Sequence, residues 1–300
     1  MNTKDKRLII FLISVFTLTA GACVMRVLAL INHFDTVTNY FTKSGLIIAA
    51  SVVICIATLV AISYLFLGKS NENLIPHFHG AATFIPSGLL ALAVIFALRD
   101  FFSASAILAA ATVIAAVCFV IYLFLNPFLG KCYSTLRGAF ALAPIIFLLL
   151  FAVAIYTDTT LPINAPNKAV DLFAAVSATL FFTGEARLSL GREKWNLYTA
   201  LGLISISLTA YSSVPAIIVY FVNGAELSLS IIQSVLIFAL FVFSSSRVIL
   251  TLFLSSDKEG ALAAIISKET KQETEYSEDE NQMSFDDLMG IGLDESENGK

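Results

Sequence analysis

Apolar residues in this chain come in long, charge-poor runs divided by short polar connections. The runs lack the strict alternation of a strand and the polar stripe of an amphipathic surface helix. They are Leu8–Ile31, Gly45–Leu67, Ala81–Leu98, Ala106–Leu125, Gly138–Tyr156, Ala169–Leu190, Leu197–Val222 and Leu227–Leu254. A helix rises about 1.5 Å per residue, so a run near twenty residues matches a hydrocarbon core of about 30 Å. Backbone polar groups in lipid must be satisfied within the segment, which makes each run a helix. A membrane barrel would instead show alternation over segments of about ten residues. The expected fold is all-α: a polytopic transmembrane helix bundle of about eight spans over residues 1–254, followed by a tail over residues 255–300.

Composition agrees with the pattern. The chain is 58% hydrophobic and 13% charged, with a mean hydropathy of +0.85; soluble domains carry about twice that share of charge. Charge separates the two regions. Beyond Ser255 there are 13 acidic against 4 basic residues, and before it 14 basic against 9 acidic. A tail rich in Glu and Asp cannot offset the entropy of ordering and is expected to be disordered. It holds an apolar island, Phe285, Leu288, Met289, Ile291 and Leu293, with the pattern of a docking peptide for a cytoplasmic protein; the competing reading is a solvated tail with incidental hydrophobes. No nucleic-acid partner is expected, and composition leaves the oligomeric state open.

Lys and Arg in the connections orient the bundle. With the N-terminus inside, Lys4, Lys6, Arg7, Lys69, Lys131, Arg137, Arg187, Arg192 and Lys194 face the cytoplasm, and Lys258 follows the last span. The other face receives Lys43, Arg99 and Lys168. An even number of spans then places both termini in the cytoplasm. Tyr40, Phe41, Phe101, Phe102, Tyr156, Trp195 and Tyr198 fall at the rims, where interfacial aromatics belong. Compact connections and the lack of N-x-S/T sequons suit a bacterial inner membrane. Ala20-Gly21-Ala22-Cys23 resembles a weak lipoprotein signal, but the apolar run continues through Ile31 where a mature lipoprotein would turn polar, so an uncleaved first helix is expected.

Candidate chemistry is sparse. An ionisable group at the bilayer centre costs about 2.5–3.5 kcal/mol on insertion scales and is therefore a functional hypothesis. Such groups are Arg26, Asp171, Glu185, Arg187 and Arg247. Arg26 is expected to snorkel toward the headgroups and Asp171 to sit at the edge of the sixth span. Glu185 and Arg187 are two apart and cannot pair on a helix. Arg247 lies at a similar depth to Glu185, so a structural ion pair joining spans six and eight is expected. Pro86, Pro144 and Pro215 read as mid-span breaks. Around two of them lie Thr83 and Ser87, and Thr209, Tyr211, Ser212 and Ser213. These hydroxyls suit either a polar cavity near spans three and seven or close helix packing; the shared proline hints weakly at two four-helix halves.

No metal site or cofactor is expected. Four cysteines are scattered singly, and His33, His77 and His79 lack ligand spacing. No GxSxG, HExxH or Walker pattern occurs. The leading functional expectation is a non-enzymatic scaffold, sensor or subunit whose tail meets a cytoplasmic partner. The alternative is a permease for a small or lipophilic solute. An intramembrane enzyme comes third, with only Glu185, Arg187 and scattered serines to serve it.

Overall fold

The computed structural model describes residues 3–35, 38, 40–68, 81–101, 106–128, 139–159, 161–162, 164–190 and 194–256. The tail island at Phe285–Leu293 and the loop histidines His77 and His79 lie outside these residues. Among the described residues are eight helices: α1 (Thr3–His33), α2 (Gly45–Leu67), α3 (Ala81–Phe101), α4 (Ala106–Phe128), α5 (Leu142–Thr157), α6 (Pro166–Ser189), α7 (Trp195–Asn223) and α8 (Ile231–Ser256). The described residues are all-helical apart from connections and one short hairpin between α1 and α2. There β1 (Phe34–Asp35) pairs antiparallel with β2 (Tyr40–Phe41), Phe34 opposite Phe41.

Five helices, α1, α2, α6, α7 and α8, are long and apolar enough to cross a membrane. The apolar stretches described in α3, α4 and α5 are shorter: Thr83–Arg99, Ala109–Phe124 and Leu142–Thr157. Large apolar side chains cover the outside. Ile13, Leu59, Ile85, Phe96, Ile114 and Phe221 are each more than half exposed, a surface that water would not tolerate and lipid would.

Helix α1 packs on α2, each helix from α4 to α7 packs on its predecessor, and α7 also packs on α1 and α2. Helix α8 enters this arrangement through Phe243 against Phe181 and Phe182 of α6, and through Phe241 against Phe16 of α1. Helices α6, α7 and α8 form the interior, with 61%, 67% and 61% of their apolar windows buried, against 28% and 22% in α1 and α2. Contacts among α1, α2 and α7 run through Ala22, Ala50, Ala57 and Ala210, all buried, since small side chains let backbones close up. At Gly202 of α7 an added Cβ would collide with the Val248 side chain of α8, so glycine allows that close crossing without displacing it. Gly224 ends α7 in the left-handed region (φ 66°), its N–H donating to the Tyr220 carbonyl at 2.8 Å.

Hydrogen bonds show which helix ends meet. Asn196 Nδ2 at the start of α7 donates to the Gly68 carbonyl after α2 at 2.5 Å. Tyr40 Oη in the hairpin donates to Asn164 Oδ1 just before α6 at 2.9 Å. The hairpin, the α6 N-terminus and the α7 C-terminus therefore share one end, called here the hairpin end.

Two readings of the sequence change. Helix α6 begins at Pro166, three residues before the apolar run: proline suits the first helical position, and Asn167 and Lys168 lower the hydropathy there although both are buried. Pro144 is the third residue of α5, just past an interruption at Ala141 that separates α5 from helical residues 139–140, and an amide there would have no acceptor within α5. Pro86 and Pro215 do lie inside helices.

Candidate functional site

Helix α6 carries two carboxylates, Asp171 and Glu185, fourteen residues apart. At 3.6 residues per turn they project from nearly the same face, roughly 21 Å apart along the axis. Each is buried, 4% and 2% exposed, and each gathers polar groups from other helices.

Glu185 lies away from the hairpin end. Its Oε1 accepts a hydrogen bond from Tyr198 Oη of α7 at 2.7 Å, and its Oε2 from Tyr122 Oη of α4 at 3.3 Å. Arg247 Nε of α8 stands 3.5 Å from Oε1, with side-chain exposures of 1% and 2% for the pair. The Arg247 guanidinium lies over the Phe243 ring, 5.0 Å from its centroid. Beneath it Phe243 stacks on Phe182 at 5.4 Å, and Phe182 meets Phe119 edge-on at 5.2 Å. The carboxylate thus joins α4, α6, α7 and α8 above an aromatic floor. Arg187, two residues on, is half-buried beside Lys194, Leu197 and Tyr198.

The second cluster sits at the hairpin end and overturns the expectation for Arg26. This side chain does not snorkel outward. It is 1% exposed and points inward between α1, α6 and α7. Arg26 Nη1 donates to the Tyr211 carbonyl at 2.6 Å, Nη2 donates to Asn167 Oδ1 at 3.0 Å, and the guanidinium lies 4.7 Å from the Tyr211 ring centroid. Tyr211 is four residues before Pro215. In a regular helix its carbonyl would accept from the amide of residue 215, and proline has none. Arg26 supplies the donor that α7 lacks, which explains how a proline survives inside a buried helix.

Asp171 completes this cluster. Its carboxylate accepts from Ser212 Oγ of α7 and from Ser228 Oγ in the α7–α8 connection, and the Arg26 charge acts on it through space. Lys168, also buried, donates from Nζ to the Asp158 carbonyl at 2.5 Å. The signal for this cluster in the sequence is the one that Glu185 and Arg247 also carry: Arg26 and Asp171 are opposite charges near the same end of different helices.

The remaining candidates are placed as follows. Thr209, Tyr211, Ser212, Ser213 and Pro215 line the buried face of α7. Ser213 donates to the Thr209 carbonyl at 2.7 Å and Thr209 to the Ser205 carbonyl at 2.5 Å, each satisfied one turn back on its own helix. Thr83, Pro86 and Ser87 are buried in α3, which packs on α4, whereas α7 packs on α1, α2 and α6. A groove of about 580 Å³ opens elsewhere, between the hairpin and the outer face of α2, lined by Tyr40, Phe41, Ile48, Val52, Cys55 and Pro166. Among the described residues no three His, Cys, Asp or Glu side chains group to hold a metal ion. No family model, curated protein or solved structure matches this chain, so its chemistry has to be read from its own side chains.

Proposed function

We propose that this chain is an eight-span integral membrane protein of a bacterial inner membrane, with both termini and an acidic tail in the cytoplasm. In this reading it is a non-enzymatic scaffold, sensor or subunit whose tail island docks a cytoplasmic protein. Support for the orientation is the excess of Lys and Arg on one face of the bundle. The observation that carries the role is the cross-bracing at Glu185, where one carboxylate takes up groups from α4, α7 and α8. A fully desolvated carboxylate held this way makes a rigid platform, since losing any partner strands a buried charge. Deletion of residues 277–300 tests it: the bundle should still insert and fold while its cellular role is lost. A truncated chain that keeps full function would remove the docking role.

A second reading, a permease for a small solute, has its own support in the proline-broken α7 with Arg26 and Asp171 beside it, since interrupted helices with charged partners build transport sites. Uptake into vesicles holding the purified chain, blocked by Ser213→Trp, would favour it. A tail deletion that leaves such uptake intact would favour it over the first.

A further inference from the structure

The cluster at the start of α6 is rich in donors and short of acceptors. Three polar atoms there are buried without a hydrogen-bond partner: Arg26 Nε, Asn167 Nδ2 and Tyr211 Oη. The side chains that carry them are 1%, 4% and 2% exposed. Two can only donate and the third can do so, and an unmet buried donor costs about 1–3 kcal/mol. The three side chains that carry them meet in one place, because Arg26 touches both Asn167 Oδ1 and the face of the Tyr211 ring.

That place is the N-terminus of a 24-residue helix. Its N-cap is Ala165, which offers no side-chain acceptor, and Pro166 and Asn167 open the first turn. The first amides of a helix point outward without intrahelical partners and carry the positive end of the helix dipole. Lys168 adds a second buried cation that meets a carbonyl, and among the described residues no carboxylate lies within ion-pair distance of it. Asp171, the nearest acid on the helix, is one turn further in and already accepts from Ser212 and Ser228.

We propose that the α6 N-terminus, with Arg26, Asn167 and Tyr211, is a binding site for a small monovalent anion of halide size, drawn from the aqueous phase. Every contributing side chain is nearly enclosed, which suits a small free anion and not a phospholipid headgroup. The apolar groove that ends at Pro166 can take an acyl chain, but it offers such a chain no charge.

The test uses the full chain in phosphatidylcholine nanodiscs, with chloride titrated against gluconate at constant ionic strength and thermal unfolding followed. A ligand that binds only the folded state raises the midpoint by mass action, so chloride should give a saturable rise. Tyr211→Phe keeps the ring under the guanidinium and removes only the hydroxyl; it should weaken chloride about tenfold, the worth of one hydrogen bond to a charged group. Asn167→Asp supplies the missing negative charge from within, so its midpoint should be high in gluconate and indifferent to chloride. Equal midpoints in chloride and gluconate, or an unchanged chloride response in both variants, would overturn the site and leave bound water to meet these donors. A midpoint that follows added phosphatidylglycerol and ignores chloride would overturn it in favour of a lipid.

Discussion

At the scale of single residues, two arginines do different work. Arg26 gives α7 a donor in place of the one Pro215 lacks. Arg26→Met should therefore destabilise the bundle by about 3 kcal/mol, because it strands a carbonyl and removes the cation facing Asp171. Adding Pro215→Ala restores a backbone amide for Tyr211 and should recover about 1 kcal/mol, the net worth of one hydrogen bond. A double-mutant cycle by unfolding in detergent measures this coupling, and strict additivity would refute the donor substitution. At Glu185 the partners rank by distance. Tyr198→Phe loses the 2.7 Å bond and should cost about 1.5–3 kcal/mol, more than Tyr122→Phe at 3.3 Å. The double exchange Glu185→Arg with Arg247→Glu should express better than either single alanine variant, and if it expresses no better the pair does not act as a structural bridge. The sequence made Glu185 and Arg247 legible through their depth and opposite sign. It hid Arg26, because the length that lets an arginine reach the headgroups also lets it reach a neighbouring helix.

At the scale of helices, packing is decided by small residues and by where polar ones are tolerated. Gly202 lets α7 and α8 approach until Val248 occupies the space of the missing side chain. Gly202→Ala should cost about 1–3 kcal/mol by overpacking, and Val248→Ala in the same chain should return most of it. Unfolding midpoints of the three variants check this; a neutral Gly202→Ala would mean the crossing is looser than the structure has it. Helix bounds were largely readable: α2 spans the same Gly45–Leu67 as its apolar run, while α6 starts earlier than hydropathy suggests. A window average treats Asn167 and Lys168 as leaving the membrane. Inside a bundle such residues can face other helices and need not meet lipid at all.

At the scale of the whole molecule, the exposed apolar surface requires lipid or detergent. The orientation proposed for it rests on the excess of basic residues at one end. In a chain with its four cysteines replaced, Lys43→Cys and Lys194→Cys place single thiols at exposed positions on opposite ends. An impermeant maleimide added to sealed right-side-out vesicles should label the first and spare the second; the reverse pattern would invert the proposed topology.

Hydrophobic patterning alone determined that this chain is helical and suited to a membrane, because lipid selects long apolar runs one segment at a time, with no reference to their neighbours. Tertiary structure decided everything that depends on which helix faces which. It turned Arg26 inward onto the carbonyl that Pro215 frees, it set Asp171 between two serines, and it gave Glu185 two tyrosines from helices far apart in sequence. Those choices follow from the cost of an unmet polar group in a dry interior, and that cost is settled by geometry across helices, which one-dimensional patterning does not record.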